Sequence, residues 1–191
     1  MKLYMIRHGE STANAEKRHA GWAQIPLTEK GRSDALRAKK ILSGVKLDKI
    51  FVSDLLRAKQ TLEIALPGAK GIETPLLREI CVGELAGLLI TEAAEKYGSD
   101  YAENRAARNF LPYGGENMEM HESRIRAFKE MLEENEAPAV AAFCHEGSIR
   151  HMLKLVRGET PTEALLHNGS VSIFEYRDGK WSCLAWDQMG E

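Results

Sequence analysis

Short apolar runs alternate along this chain with stretches of helical periodicity, and two of those runs end in a histidine. Leu3-Tyr4-Met5-Ile6 leads into Arg7-His8-Gly9, and Ala139 to Cys144 leads into His145-Glu146-Gly147. Runs this short read as buried strands stopped by a glycine-marked turn. Between them, Pro26-Leu27-Thr28 opens a segment with Ala35, Leu36, Ala38, Ile41 and Leu42 at helical spacing, with Thr28 as N-cap and Gly44 as its stop. Lys49-Ile50-Phe51-Val52 is a second strand, followed by a helix marked by Leu55, Ala58, Leu62 and Ala65. Strand alternating with helix predicts an α/β three-layer sandwich, with helices on both faces of a mostly parallel central sheet.

The rest of the chain is consistent with that plan. Ile72 to Leu77 reads as a weak third strand leading to Arg78-Glu79, and Ala139 to Cys144 is hydrophobic enough for a central position. Residues 83 to 115 are glycine-punctuated and charge-rich, with two short helices expected around Thr91 to Lys96 and Tyr101 to Asn109; they form an inserted, lid-like segment. Ile125, Phe128, Met131 and Leu132 mark a further helix, and Ile149, Met152, Leu153 and Val156 another. Thr160-Pro161-Thr162-Glu163 is a capping box for a short helix to about Leu166. Val171 to Tyr176 and Trp181 to Trp186, separated by Asp178-Gly179, form a C-terminal antiparallel hairpin.

The 191 residues suit one domain, 1–191, and 43% hydrophobic with 28% charged residues is a globular balance. With 26 basic against 28 acidic residues, net charge −2, no field draws the chain to nucleic acid or an anionic membrane, so an anionic ligand needs a local pocket. Cys81, Cys144 and Cys183 are odd in number and show no Cys-x-x-Cys pair, which argues against a zinc or redox motif. No apolar stretch approaches the ~20 residues of a membrane helix. A cytoplasmic protein, monomer or homodimer, is expected.

In open α/β sheets ligands bind beyond the strand C-termini, where His8 and His145 are predicted to converge. Arg7 precedes His8, Arg57 lies one turn into the helix after the second strand, and Glu79 follows the third. Two cations, two imidazoles and one carboxylate suit an oxyanion, most naturally a phosphoryl group. Taken singly, each is as readily an ordinary core histidine, solvated arginine or surface carboxylate.

Arg7-His8-Gly9-Glu10-Ser11 with Asn14 resembles the signature of the histidine phosphatase, or phosphoglycerate mutase-like, superfamily. Also similar are Pro26-Leu27-Thr28 with Gly31, Ser53-Asp54-Leu55 with Arg57-Ala58, Leu77 with Glu79 and Gly83, Gly114-Gly115-Glu116 with Arg124, His145 with Gly147 and Arg150, and Asn168 with Ser170. The resemblance implies that His8 takes the phosphoryl group covalently while Arg7, Arg57 and His145 clamp its oxygens. Glu79 would then protonate the leaving alcohol, with no metal or other cofactor required. It further implies that Asn14 touches the phosphoryl group and that Gly9 lets the backbone pass close. Ser11 belongs to the same signature, and Glu116 and Ser170 fall at the pocket rim. Glu146 stands where the family often has glycine, and Leu85-Ala86-Gly87 where phosphatase-like members often carry Trp-Glu-Gly; Glu146 is expected to crowd or acidify the pocket wall.

The implied activity is hydrolysis of a small phosphate monoester, in the manner of small phosphatases such as α-ribazole-phosphate phosphatase. A cofactor-dependent phosphoglycerate mutase is the alternative: Arg18 with Gly21-Trp22 resembles a mutase start, and Arg105 and Arg108 are the nearest match to a mutase's paired arginines. A non-catalytic phosphate-binding module is the third reading, opposed by Glu79, because binding needs only cations while turnover needs an acid.

Overall fold

The computed structural model describes residues 1–159 and 165–190. Its sheet has six strands, β1 (Lys2–Arg7), β2 (Lys49–Val52), β3 (Ile72–Glu73), β4 (Ala139–Cys144), β5 (Val171–Arg177) and β6 (Lys180–Gln188), in the order β3-β2-β4-β1-β5-β6. The pairs among β1 to β4 are parallel, and the β1–β5 and β5–β6 pairs antiparallel.

Side-chain alternation along the central strands divides the core in two. Leu3 and Met5 of β1, with Val140, Ala142 and Cys144 of β4, face helices α5 (Met118–Glu133) and α6 (Glu146–Arg157). Tyr4 and Ile6, with Ala141 and Phe143, face α2 (Glu29–Leu42) and α3 (Leu56–Ala65). The result is the expected three-layer sandwich. Phe128 of α5 is fully buried edge-on against Phe51 of β2, with centroids 5.5 Å apart; burying such a side chain stabilises by about 1.5–3 kcal/mol.

Several expected elements have different bounds. The third strand is only two residues long, because Pro75 has no N–H for a ladder and opens a 3₁₀ turn, Pro75–Leu77, capped by the Thr74 hydroxyl. The two helices expected beyond Gly83 are both present, as the two arms of α4 (Ile90–Ala106) on either side of a kink at Gly98, whose φ of 64° and ψ of −145° no helix accommodates; the second arm ends at Ala106, short of Asn109. A short helix absent from the sequence reading, α1 (Thr12–Glu16), is held by a capping box between Ser11 and Asn14. Thr28 caps α2 as expected, and Asp178 and Gly179, both at positive φ, make the two-residue hairpin turn. The capping box at 160–163 lies outside the described residues. No helix among the described residues is long and apolar enough to cross a membrane.

The segment between Glu79 and α5 has its own small core of Ile80, Val82, Leu85, Ala93, Tyr101, Phe110 and Tyr113. Its ends are clasped: Glu116 N–H donates to Cys81 O and Cys81 N–H to the Glu116 carboxylate, both at 2.9 Å.

Candidate active site

Strands β1 and β4 run in register, Arg7 beside Cys144, so the next residues, His8 and His145, emerge together at the strand C-termini. Their rings are 5.1 Å apart and inclined at 60°. His8 Nδ1 lies 2.7 Å from Gly9 O. A carbonyl only accepts, so Nδ1 carries the hydrogen and Nε2 keeps its lone pair. The His8 carbonyl is fixed by Asn168 Nδ2 at 3.0 Å and by Gly169 N–H at 3.2 Å. Gly9 itself packs against Gly31, whose carbonyl oxygen would lie 2.0 Å from a Cβ there, so this loop admits no side chain.

Burial, reinforced by Arg57 and Arg7, holds His8 well below its usual pKa; burial, Arg57 and His8 do the same for His145. Both imidazoles are therefore neutral at physiological pH, which suits one as nucleophile. Arg57, 1% exposed, donates to Ala23 O at 3.2 Å and Gly21 O at 2.9 Å; burial lowers its pKa to about 10, and it stays cationic. Arg7 bonds Leu166 O and pairs with Glu146 at 3.1 Å. His145 Nε2 is 2.8 Å from Ser53 Oγ. Among the described residues, the buried side-chain atoms without a partner include Arg7 Nε, Arg57 Nε, His145 Nδ1 and Ser170 Oγ, all on residues at this end of the sheet. Buried polar atoms are normally paired, so four orphans at one place mark where a polar ligand belongs.

Glu79 enters from the opposite side. Its carboxylate accepts from Ile80 N–H at 2.9 Å and Gly147 N–H at 3.2 Å, while its carbonyl receives Trp22 Nε1 at 2.8 Å and Arg124 at 3.1 Å. A Cβ at Gly147 would lie 2.2 Å from Glu79 Oε1, so a side chain there would displace the carboxylate. Burial opposes the charge on Glu79 but is outweighed by His121, the two amides and Arg108, and the carboxyl stands below its ordinary pKa.

Beside this centre opens a cavity of about 370 Å³ whose walls include Asn14, Arg18, Glu79, Arg105, Arg108 and Glu146. Arg105 and Arg108 have no ion-pair partner among the described residues. Asn14 reaches the wall while its Oδ1 accepts from Ser11 N–H and Oγ. Glu146 is a wall residue, bridging Arg7 and, at 2.9 Å, Arg150. Ser11 and Glu116 are buried and engaged elsewhere: Ser11 caps α1, and Glu116 holds Arg124 through two bonds of 2.8 and 2.7 Å. Sequence reasoning passed over His121, and it quoted Trp22 and Asp54 only as motif members, without the Arg78 guanidinium that stacks on the one and pairs with the other. The signal for His121 was available: it stands in the apolar stripe shared with Ile125, Phe128 and Leu132, where an imidazole is out of place.

The profile of the Histidine phosphatase superfamily (branch 1) matches residues 3–189. The chain belongs to this superfamily. As members and structural neighbours of this histidine phosphatase superfamily are phosphatases and mutases, the chain is an enzyme of that group. It is 36% identical over 160 residues to a 2,3-bisphosphoglycerate-dependent phosphoglycerate mutase 2 of Gloeobacter violaceus, covering 79% of this chain and 73% of the relative. It is 31% identical to the metal-independent phosphoserine phosphatase of Arabidopsis thaliana, covering 98% and 82%. The α-ribazole phosphatase of Shigella flexneri has the same fold, with a TM-score of 0.89 at 22% identity over 100% of this chain and 98% of that one.

Proposed function

We propose that this histidine phosphatase superfamily member hydrolyses a small phosphate monoester without a metal ion, through a phosphohistidine at His8. The observation that carries the reading is the His8 tautomer, with Nδ1–H committed to Gly9 O and a neutral Nε2 turned to chemistry. Nε2 attacks phosphorus as the ester P–O bond breaks, and Glu79 gives the leaving oxygen its proton. Water then attacks phosphorus, the N–P bond breaks, and Glu79 takes the water's proton. The unpartnered Arg7 Nε, Arg57 Nε and His145 Nδ1 supply donors for the phosphoryl oxygens, with Ser170 Oγ in reserve and Gly9 and Asn14 shaping the approach. Glu79 is ionised at rest, and like charge from a bound dianion raises its proton affinity.

Residues 83–115 are read as an inserted segment roofing the cavity. Its unpaired Arg105 and Arg108 favour an ester bearing a second anionic group. The same guanidiniums support the second reading, a mutase, which would retain a doubly phosphorylated intermediate. Incubation with labelled phosphoglycerates, phosphoserine and sugar phosphates separates the two by inorganic phosphate against isomerised product. A denaturing quench should trap acid-labile label on His8, absent in His8→Ala; label on a serine, or undiminished in His8→Ala, overturns the mechanism.

A further inference from the structure

Behind Glu79, on the side away from the cavity, lie two buried histidines that the steps above do not use. His121 of α5 and His151 of α6 are 0% and 2% exposed, and their rings meet edge to face with centroids 4.6 Å apart. His121 Nε2 lies 3.1 Å from Arg78 O, so Nε2 carries the hydrogen and Nδ1 the lone pair. That Nδ1 has no hydrogen-bond partner among the described residues, and it faces Glu79 Oε1 at 4.0 Å. A lone pair turned toward a buried carboxylate is an unfavourable arrangement that one added proton converts into a charge-assisted hydrogen bond, once the gap closes by about 1 Å.

We propose that His121 is a positioning residue that shares one proton with Glu79, so that the acid needed for ester cleavage is held by the pair and not by the carboxyl alone. The proposal rests on Glu79 being the proton donor. Alone, Glu79 is poorly placed to hold that proton, because two amide N–H groups favour its ionised form. A bound phosphoryl dianion raises the proton affinity of both partners, and a coupled pair then takes up the proton as a unit. For cleavage, His121 Nδ1–H breaks as Glu79 Oε1–H forms, and Glu79 passes a proton to the leaving oxygen. In the second step the proton lost by water returns through Glu79 to His121, so the pair ends the cycle as it began.

The charged and titratable groups around His121 are Glu79 from the loop after the 3₁₀ turn, Glu116 before α5, Arg124 on α5, His145 at the end of β4 and His151 on α6. Burial and Arg124 lower the proton affinity of His121, while Glu79, Glu116 and the Arg78 carbonyl raise it. His151, pushed down to about 4 chiefly by burial, stays neutral and adds no competing charge at pH 7. Gly147 provides the room: a Cβ there would lie 2.6 Å from His121 Cε1 as well as 2.2 Å from Glu79 Oε1.

The test has two arms. In the first, the ¹⁵N shifts of the His121 ring are titrated in wild type and in Glu79→Gln. The midpoint should fall by about one pH unit or more when the carboxylate is removed, a tenfold loss of proton affinity. In the second, the phosphorylation step is timed across pH for an alkyl phosphate and for p-nitrophenyl phosphate, in wild type, Glu79→Gln, His121→Phe and His121→Asn. Loss of the imidazole should slow the alkyl ester about tenfold or more and move the basic limb of its profile, with KM and the aryl ester changed no more than about twofold. Equal His121 midpoints in wild type and Glu79→Gln overturn the proposal, and this arm stands even if neither His121 variant folds. Equal losses for the two esters in folded His121 variants overturn it as well. If Glu79→Gln itself slows both esters alike, the assignment of Glu79 as donor fails, an outcome distinct from a failure at His121 alone.

Discussion

Lowering the pH from 7.5 to 5.5 should destabilise this protein by several kcal/mol, before any carboxylate is involved. His8, His145 and His151 are buried with proton affinities well below the usual value of 6.5, His151 at about 4. A histidine depressed in the folded state binds its proton in the unfolded chain first. Its contribution is therefore complete above pH 6.5 and is lost as pH falls from there toward the folded value. Across this window each such group contributes about 1.4 kcal/mol, so three give about 4 kcal/mol, a large part of the 5–15 kcal/mol that usually separates folded from unfolded. The depressed carboxylates, Glu79 and Glu116 among them, act in a lower window, below their ordinary value of 4.5. Urea titrations followed by the fluorescence of the three tryptophans, at pH 7.5, 6.5 and 5.5, measure the effect directly. His151→Phe should reduce the loss by about a third, to roughly 3 kcal/mol. A wild-type loss under about 1 kcal/mol, with the urea dependence unchanged, would refute the reasoning.

Glu79→Gln should slow phosphorylation of the enzyme about 10²- to 10⁴-fold with an alkyl phosphate and far less with p-nitrophenyl phosphate, whose leaving group departs unprotonated; burst rates that fall equally would make Glu79 a binding residue. Glu146→Gly removes the carboxylate that bridges Arg7 and Arg150, so kcat/KM should rise more for bisphosphates than for monophosphates, by about tenfold if ~1.4 kcal/mol of repulsion is relieved. Equal gains for both would show that Glu146 acts only through the shape of the wall. EDTA should leave turnover unchanged and vanadate should inhibit; activity lost to EDTA and restored by magnesium would contradict the metal-free mechanism.

Much of this architecture was legible because the period-2 and period-3.6 signals of the central elements are strong. Lys49–Val52 and Ala139–Cys144 were bounded correctly, and Thr28 and Asp178-Gly179 announced a cap and a turn whose chemistry is local. What the sequence could not display was competition between local and tertiary demands. Pro75 cut a strand that the apolar pattern of Ile72 to Leu77 would have continued, and Asn14, read only as a ligand contact, also caps a helix too short to show periodicity. Glu116 matched a motif, but only the fold reveals that its two oxygens are occupied by Arg124 and Cys81. His121 and His151 were legible as residues but not as neighbours, because 30 positions of chain separate two rings that meet only when α5 packs on α6.

The clasp between Cys81 and Glu116 divides the molecule by how its parts are held. The groups proposed to hold the phosphoryl oxygens, Arg7, Arg57, His145 and Ser170, come from distant points of the chain that a sheet must hold together. The stretch read as the roof over the cavity has a small core running from Ile80 to Tyr113 and two ends bonded to each other, and it is also tied to residues 17–19, through Ile90 N–H to Lys17 O, His19 N–H to Leu88 O and Gly87 N–H to His19 O. Exchange of Arg105 or Arg108, which take part in none of these bonds, leaves the base shut and the strand ends beneath it in register. Selectivity is therefore best redesigned at those two arginines, and any larger exchange of residues 83–115 has to carry residues 17–19 with it.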